Sequence, residues 1–440
     1  LPHLAWRQEF SDWRLWWGRA VVVAVAVLAG LTIVGFTWLC EHAIALFYRI
    51  DASYWWSPLL LGPACAAAVT WCTRRFAAGA AGSGIPQVIA ALEPAGAPPA
   101  RSLFVSLRLS LAKIGLTAAG LLGGLSLGRE GPSVQIAAGV MLQARRLMPA
   151  GTGVTAHGLL VAGGAAGIAA AFNTPLAGVM FAIEELARSP ERRSSGLLVA
   201  AIVLAGLVAV SAHGNSTYFG VIHAERTGLD LLLPGLVLAV LAGVAGGLFS
   251  RLLIASLGGQ GRDPLSRLRA RRPVAFAALC GLAVGLIGLV TAGATFGSGY
   301  TSTRTMVEGT SAMPAAYALF KFIATWLTTW SGVPAGIFAP SLAIGAALGN
   351  DVALLAFHAQ VPALIALGMV GFLAAATQAP LTAFIIVMEM VDGHAMVLSL
   401  MACALVSFVV ARAISPPLYA TLAAMQLARV PPEPEPPAAA

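Results

Sequence analysis

The chain has 440 residues, of which 58% are apolar and only 10% charged, against roughly 25% charged in ordinary soluble domains. A soluble fold this poor in charge could not keep its surface wet, and the 48 Gly and 26 Pro lie within apolar stretches, so a soluble globule and a disordered chain are both excluded. The net charge of +8 does not mark a nucleic-acid partner, because the arginines cluster at the ends of apolar segments, as positive-inside topology requires.

In chain order, the run from Ala20 to Cys40 is long enough to span a bilayer. Arg7, Arg14 and Arg19 lie before or at its start with Trp13, Trp16 and Trp17, the aromatic belt of a cytoplasmic face. A loop containing Glu41, Asp51 and Tyr54 leads to a second run, Pro58 to Trp71, which returns the chain to Arg74 and Arg75. Arg145 and Arg146 mark a further segment end. Two crossings, near Gly196–Ala212 and Leu231–Leu257, connect Arg188, Arg192 and Arg193 to the cluster from Arg262 to Arg272. The hairpin between them, His213 to Asp230, is expected on the outer side. Residues 1–430 read as a single transmembrane unit, and the Pro/Glu/Ala-rich tail 431–440 as disordered. Because the chain opens on Leu1, a few upstream residues are expected; no cleavable secretory pattern begins it.

Elsewhere the apolar segments are cut by Gly, Pro and short polar stretches. Irregular backbone at membrane depth survives only when buried in protein or lining a wet cavity. Broken helices whose ends face a substrate are a transporter pattern. The five cysteines form no CxxC and have no His pair nearby, which indicates apolar filler rather than a disulfide framework or a zinc site.

The chain repeats itself. Gly82-Ser-Gly returns as Gly297-Ser-Gly, Gly128-x-x-x-Pro132 as Gly336-x-x-x-Pro340, and Pro175-Leu176 with Glu184 as Pro380-Leu381 with Glu389, at offsets of 215, 208 and 205. Two halves, about 20–212 and about 231–425, therefore share one architecture, with sites expected where they meet. What both halves share is scaffold; what one half alone carries is function. Glu184 and Glu389 share a position and read as structural, with Arg188 in i+4 reach of Glu184. Glu185 aligns with Met390, and Glu130 with Phe338, so only the first half arms these positions with a titratable group.

The Gly128 and Gly336 turns read as approaches to helix N-termini, with Pro at the first helical position. Glycine there admits a ligand close to the backbone, and free N–H groups attract an anion. Gly82-Ser-Gly-Ile-Pro86 adds a hydroxyl at Ser83. No GxxxxGK[ST] is present, which argues against phosphate binding of the P-loop type. A charge at mid-membrane costs about 2.5–3.5 kcal/mol, so Glu130, Glu185 and Lys113 each need a reason to be there. A buried carboxyl suits a proton carrier; Lys113 reads either as a countercharge or as an interfacial lysine. An enzyme is not expected: Ala81 breaks a GxSG pattern and the seven histidines are scattered, with no HExxH.

Together, Gly82-Ser-Gly-Ile-Pro, Gly128-Arg-Glu-Gly-Pro, Gly336-Ile-Phe-Ala-Pro and Tyr419 resemble the CLC chloride channel/transporter family, over about Arg74 to Tyr419. The resemblance implies an all-α polytopic membrane protein of about 18 helices in two inverted repeats with broken helices. It also implies a homodimer in the lipid bilayer with one anion pathway per subunit. Ser83 and Tyr419 would give hydroxyls, and Ile337 and Phe338 backbone amides, to a chloride, with Gly82, Gly84, Arg129, Gly131 and Gly336 shaping the loops. Glu130 would be the gate and Glu185 the internal proton-transfer site of a Cl⁻/H⁺ antiporter. A passive, voltage- or pH-gated chloride channel of the same family is the alternative. Ser83 is the chloride form of its motif; nitrate-preferring members have Pro there. No cofactor is implied, chloride and protons being the transported ions. The expected location is the inner (plasma) membrane of a bacterium.

Overall fold

A computed structural model describes residues 13–93, 98–149, 151–187, 195–214, 217–222, 231–259, 261, 263–310, 313–314, 316–356 and 360–430. The Arg188–Arg193 cluster, Arg7, Arg262, much of the 213–230 hairpin and the 431–440 tail lie outside these residues. The described residues are helical, with no strand among them and one isolated antiparallel bridge, Gly128 to Gly336.

The first half begins with α1 (Trp13–Ser53), whose 41 residues extend about 60 Å and so exceed a bilayer core of about 30 Å. It continues with α2 (Pro58–Phe76), α3 (Ile85–Leu92), α4 (Pro98–Phe104), α5 (Leu107–Leu122), α6 (Glu130–Met141), α7 (Ala144–Leu147), α8 (Ala156–Phe172), α9 (Pro175–Phe181) and α10 (Ser195–His213). The second half has α11 (Leu232–Gly258), α12 (Pro264–Arg271), α13 (Pro273–Val290), α14 (Tyr300–Val307), α15 (Tyr317–Trp330), α16 (Phe338–Leu355), α17 (Val361–Thr377), α18 (Pro380–Met390) and α19 (Val397–Ile414), followed by α20 (Leu418–Leu427). Among the described residues, six helical stretches are long and apolar enough to cross a membrane. Others, such as the 12-residue α6 and the seven-residue α9, are too short.

Local chemistry sets the helix ends. Ser106, Thr155 and Asp263 cap α5, α8 and α12, accepting from Leu109, Gly158 and Ser266 N–H at 3.4, 3.0 and 2.9 Å. The hydrogen bonds from Ser266 hold the exposed Asp263 carboxyl below its usual range. Asn173 and Gln378, both at φ 60°, close α8 and α17, and each is followed two residues later by the Pro that opens the next helix. One expectation is corrected here: α6 begins at Glu130 and α16 at Phe338, so Pro132 and Pro340 are third in their helices, not first. The first-turn N–H groups have no acceptor inside the helix, so proline is tolerated there as well.

Close backbone approach joins the halves. A Cβ on Gly62 of α2 would lie 2.7 Å from the Gly281 carbonyl of α13, so only glycine permits this crossing. At α9 and α18 the joint is polar and reciprocal. Glu184 accepts from the N–H groups of Leu381 and Thr382 at 3.0 and 2.7 Å, and Glu389 from those of Leu176 and Ala177 at 3.2 and 2.8 Å. Each carboxylate thus caps the N-terminus of the other half's helix, where orphan N–H groups and the helix dipole favour negative charge. The side chain of Glu184 is spent on this cap.

Candidate anion site and gate

Three glycine turns meet inside the protein. The N–H groups of Gly128 and Gly336 each donate to the other's carbonyl at 2.8 and 3.1 Å, and Ala335 N–H donates to the Gly82 carbonyl at 3.2 Å. The turn before α3 needs glycine on both sides of Ser83, since Gly82 and Gly84 have φ of 75° and 111°. A Cβ on Gly84 would lie 2.5 Å from the Gly131 carbonyl, and one on Gly131 would collide with Ser83 Oγ. Gln87 braces the turn from within α3: its side-chain oxygen accepts from Gly84 N–H at 2.9 Å, and its amide nitrogen donates to the Ala81 carbonyl.

Lys113 is fully buried on α5, and its Nζ donates to the carbonyls of Ala80 and Gly82 at 2.8 and 2.7 Å. Full burial removes the interfacial reading, and through these carbonyls the ammonium staples the back of the Ser83 turn. A buried acceptor without a donor is costly; Lys113 satisfies the Ala80 carbonyl and adds a second donor to the Gly82 carbonyl, which also accepts from Ala335 N–H. Lys321 on α15 repeats the arrangement, donating to the carbonyls of Thr295 and Gly297 at 2.9 and 2.7 Å. Sequence reasoning left this second lysine unused, although its offset of 208 from Lys113 equals that of Gly336 from Gly128.

Ser83, Tyr419 and Ile337 line one cavity of about 120 Å³, which also touches Arg269 and Arg429. Helix α20 delivers Tyr419, and the Phe338 ring stacks on it at 6.1 Å between centroids and 11° between planes. The Ser83 and Tyr419 hydroxyls lie within reach of each other, yet both are buried with no well-formed hydrogen bond to protein. Such groups are costly unless something accepts from them. Ile337 and Phe338 stand at the start of α16, whose first N–H groups have no acceptor within the helix. Hydroxyl donors and helix-start amides beside a small cavity have the chemistry to hold a compact anion.

Glu130, the first residue of α6, is completely buried. Its carboxylate lies beside the backbone N–H groups of Arg129, Glu130 and Ala339, without closing a hydrogen bond of good geometry. It therefore occupies, as a tethered carboxylate, the kind of position an anion would take at the start of α16. Beyond it is a second cavity of about 540 Å³, lined among others by Glu41, Arg129, Tyr218, Tyr300 and Arg304. The two cavities share no lining residue, and Glu130 lines neither. Arg129, the residue before Glu130, lines the larger cavity, and Ser83, packed close to Gly131, lines the smaller one.

Glu185 is half-buried in a π turn, Ala182–Leu186, that continues α9. The corresponding part of α18 is ordinary α-helix. Tyr419 is within electrostatic reach of both Glu185 and Glu130. The structure therefore brings Ser83, Tyr419, Ile337, Phe338 and the two glutamates into one region.

The family model described as voltage gated chloride channel matches residues 64–412. The chain belongs to that family. A crystal structure of a slow cyanobacterial Cl⁻/H⁺ antiporter is similar at 27% identity, with a TM-score of 0.79, covering 94% of this chain and 98% of that one. A CLC-type fluoride/proton antiporter (22% identity, TM-score 0.74, 92% and 97% coverage) shares the fold. So does a eukaryotic CLC transporter (23% identity, TM-score 0.73, 94% and 74% coverage). This is a multi-pass CLC membrane protein with the all-α CLC fold, of a channel and transporter family rather than an enzyme family.

Proposed function

We propose that this CLC protein exchanges chloride for protons, with Glu130 as gate and Glu185 as the internal proton-transfer site. The observation that carries the reading is the position of Tyr419, in electrostatic reach of both glutamates and beside the unpartnered Ser83 hydroxyl. Ionised Glu130 competes with chloride for the amides at the starts of α6 and α16. Protonation cancels its charge, the side chain leaves, and chloride takes its place; one carboxyl then links the two ions. Glu185 supplies protons to Glu130 from the arginine end, which the positive-inside rule makes cytoplasmic. Similarity to a cyanobacterial Cl⁻/H⁺ antiporter at 27% identity supports exchange over passive conduction.

The same reading takes the protein as a homodimer with one pathway per chain, in the inner membrane of a bacterium, and needs no cofactor. The experiment is reconstitution into liposomes with an imposed chloride gradient, recording proton movement. Proton uptake against its own gradient supports exchange; chloride flux with no proton movement makes the protein a channel.

A further inference from the structure

At the wide cavity, Arg129 is held by a partner 88 residues earlier in the chain. Its Nη1 donates to Glu41 Oε1 of α1 at 2.8 Å, and its Nη2 to the Tyr218 hydroxyl at 3.3 Å. The guanidinium carbon lies 5.9 Å from the Tyr218 ring centre. The Arg129 side chain is 13% exposed and that of Glu41 55%, so a nearly buried cation is met by a carboxylate reaching in from the cavity wall. The 217–222 segment that brings Tyr218 is itself pinned, Phe219 and Ile222 N–H donating to the Met390 and Val391 carbonyls at 3.1 and 2.9 Å. Other ionisable groups facing this cavity are Cys40 and Tyr48 of α1, Tyr300, and Arg304, which is already paired with Glu308 at 2.7 Å.

Arg129 directly precedes Glu130 and lines the wide cavity, the space that the gate reading assigns to a departing Glu130 side chain. An unpaired guanidinium there would favour the ionised carboxylate and hold any anion that arrives. We propose that Glu41 is a positioning residue for the gate: by pairing with Arg129 it fixes and neutralises that guanidinium, so that neither chloride nor the displaced Glu130 carboxylate is trapped at the outer mouth. This rests on Glu130 being the gate.

The test compares wild type, Glu41→Gln, Glu41→Asp and Glu130→Gln in liposomes, measuring chloride flux against external pH and external chloride. Gln removes the negative charge and frees the positive one. Both changes favour ionised Glu130, so its flux–pH curve should move to lower pH by about one unit, tenfold in proton concentration. The half-saturating external chloride should fall several-fold in the same variant. Glu41→Asp keeps the charge and should restore both readouts. A Glu41→Gln curve that overlays wild type, an Asp variant that behaves like Gln, or an equal loss of flux at every pH would overturn the proposal. Glu130→Gln separates the two ideas: a flat pH profile there keeps the gate reading whatever Glu41 does, and a persisting one removes both.

Discussion

Replacing Glu389 by Gln tests the joint between the halves. The carboxylate accepts from Leu176 and Ala177 N–H at 3.2 and 2.8 Å. Glutamine keeps one acceptor oxygen, but its NH₂ group then confronts an N–H donor. One charge-assisted bond is lost, worth about 1.5–3 kcal/mol, or roughly a 10- to 150-fold shift in the unfolding equilibrium. Glu184→Gln should cost about the same, because its bonds of 3.0 and 2.7 Å to α18 are equivalent. Both caps act on the α9–α18 pair, so the double variant should lose less than the sum. The assay is retention of folded protein in mild detergent during an SDS titration, followed by circular dichroism. Midpoints unchanged in both single variants would falsify the reciprocal-cap account, and full additivity would show that the caps act separately.

Three further outcomes concern the site. Glu130→Gln should leave chloride flux in place while abolishing proton movement and the pH dependence of flux, read in the same vesicles with chloride and pH electrodes. Glu185→Gln should also stop proton transport, but its chloride flux should still respond to pH through the intact Glu130; normal proton pumping would make Glu185 structural. Ser83→Pro removes a hydroxyl donor from the cavity it shares with Tyr419 and should shift preference from chloride towards nitrate, measured by calorimetry and by competitive flux. Unchanged chloride binding in that variant and in Tyr419→Phe would remove both hydroxyls from the anion site.

The parts of the fold legible in the sequence are those set by local chemistry. Apolar length placed α10 and α11 within a residue or two of where they lie, because hydrophobic runs flanked by charge report membrane depth directly. Gly-Ser-Gly and Gly-x-x-x-Pro marked the three turns because positive φ and close backbone approach admit little else. Partners across space were not legible. Nothing local says that Glu184 caps α18 or that Glu41 reaches Arg129, since each pairing joins segments many tens of residues apart. The partners of Lys113 are hidden for the same reason: the carbonyls that satisfy it are presented only by the fold of the Ser83 turn. Phe338 drew notice for its backbone alone, yet its ring also stacks on Tyr419.

The most direct test of the central claim is proton movement driven by chloride alone. Vesicles holding the purified protein are loaded with high chloride, diluted into low chloride at equal pH, and followed with an external pH electrode in a weakly buffered medium. Outward chloride flow should draw protons into the vesicles against the gradient they build, and dissipating the chloride gradient should stop the uptake. Chloride efflux at full rate with no proton uptake would contradict exchange and leave the protein a passive chloride pathway.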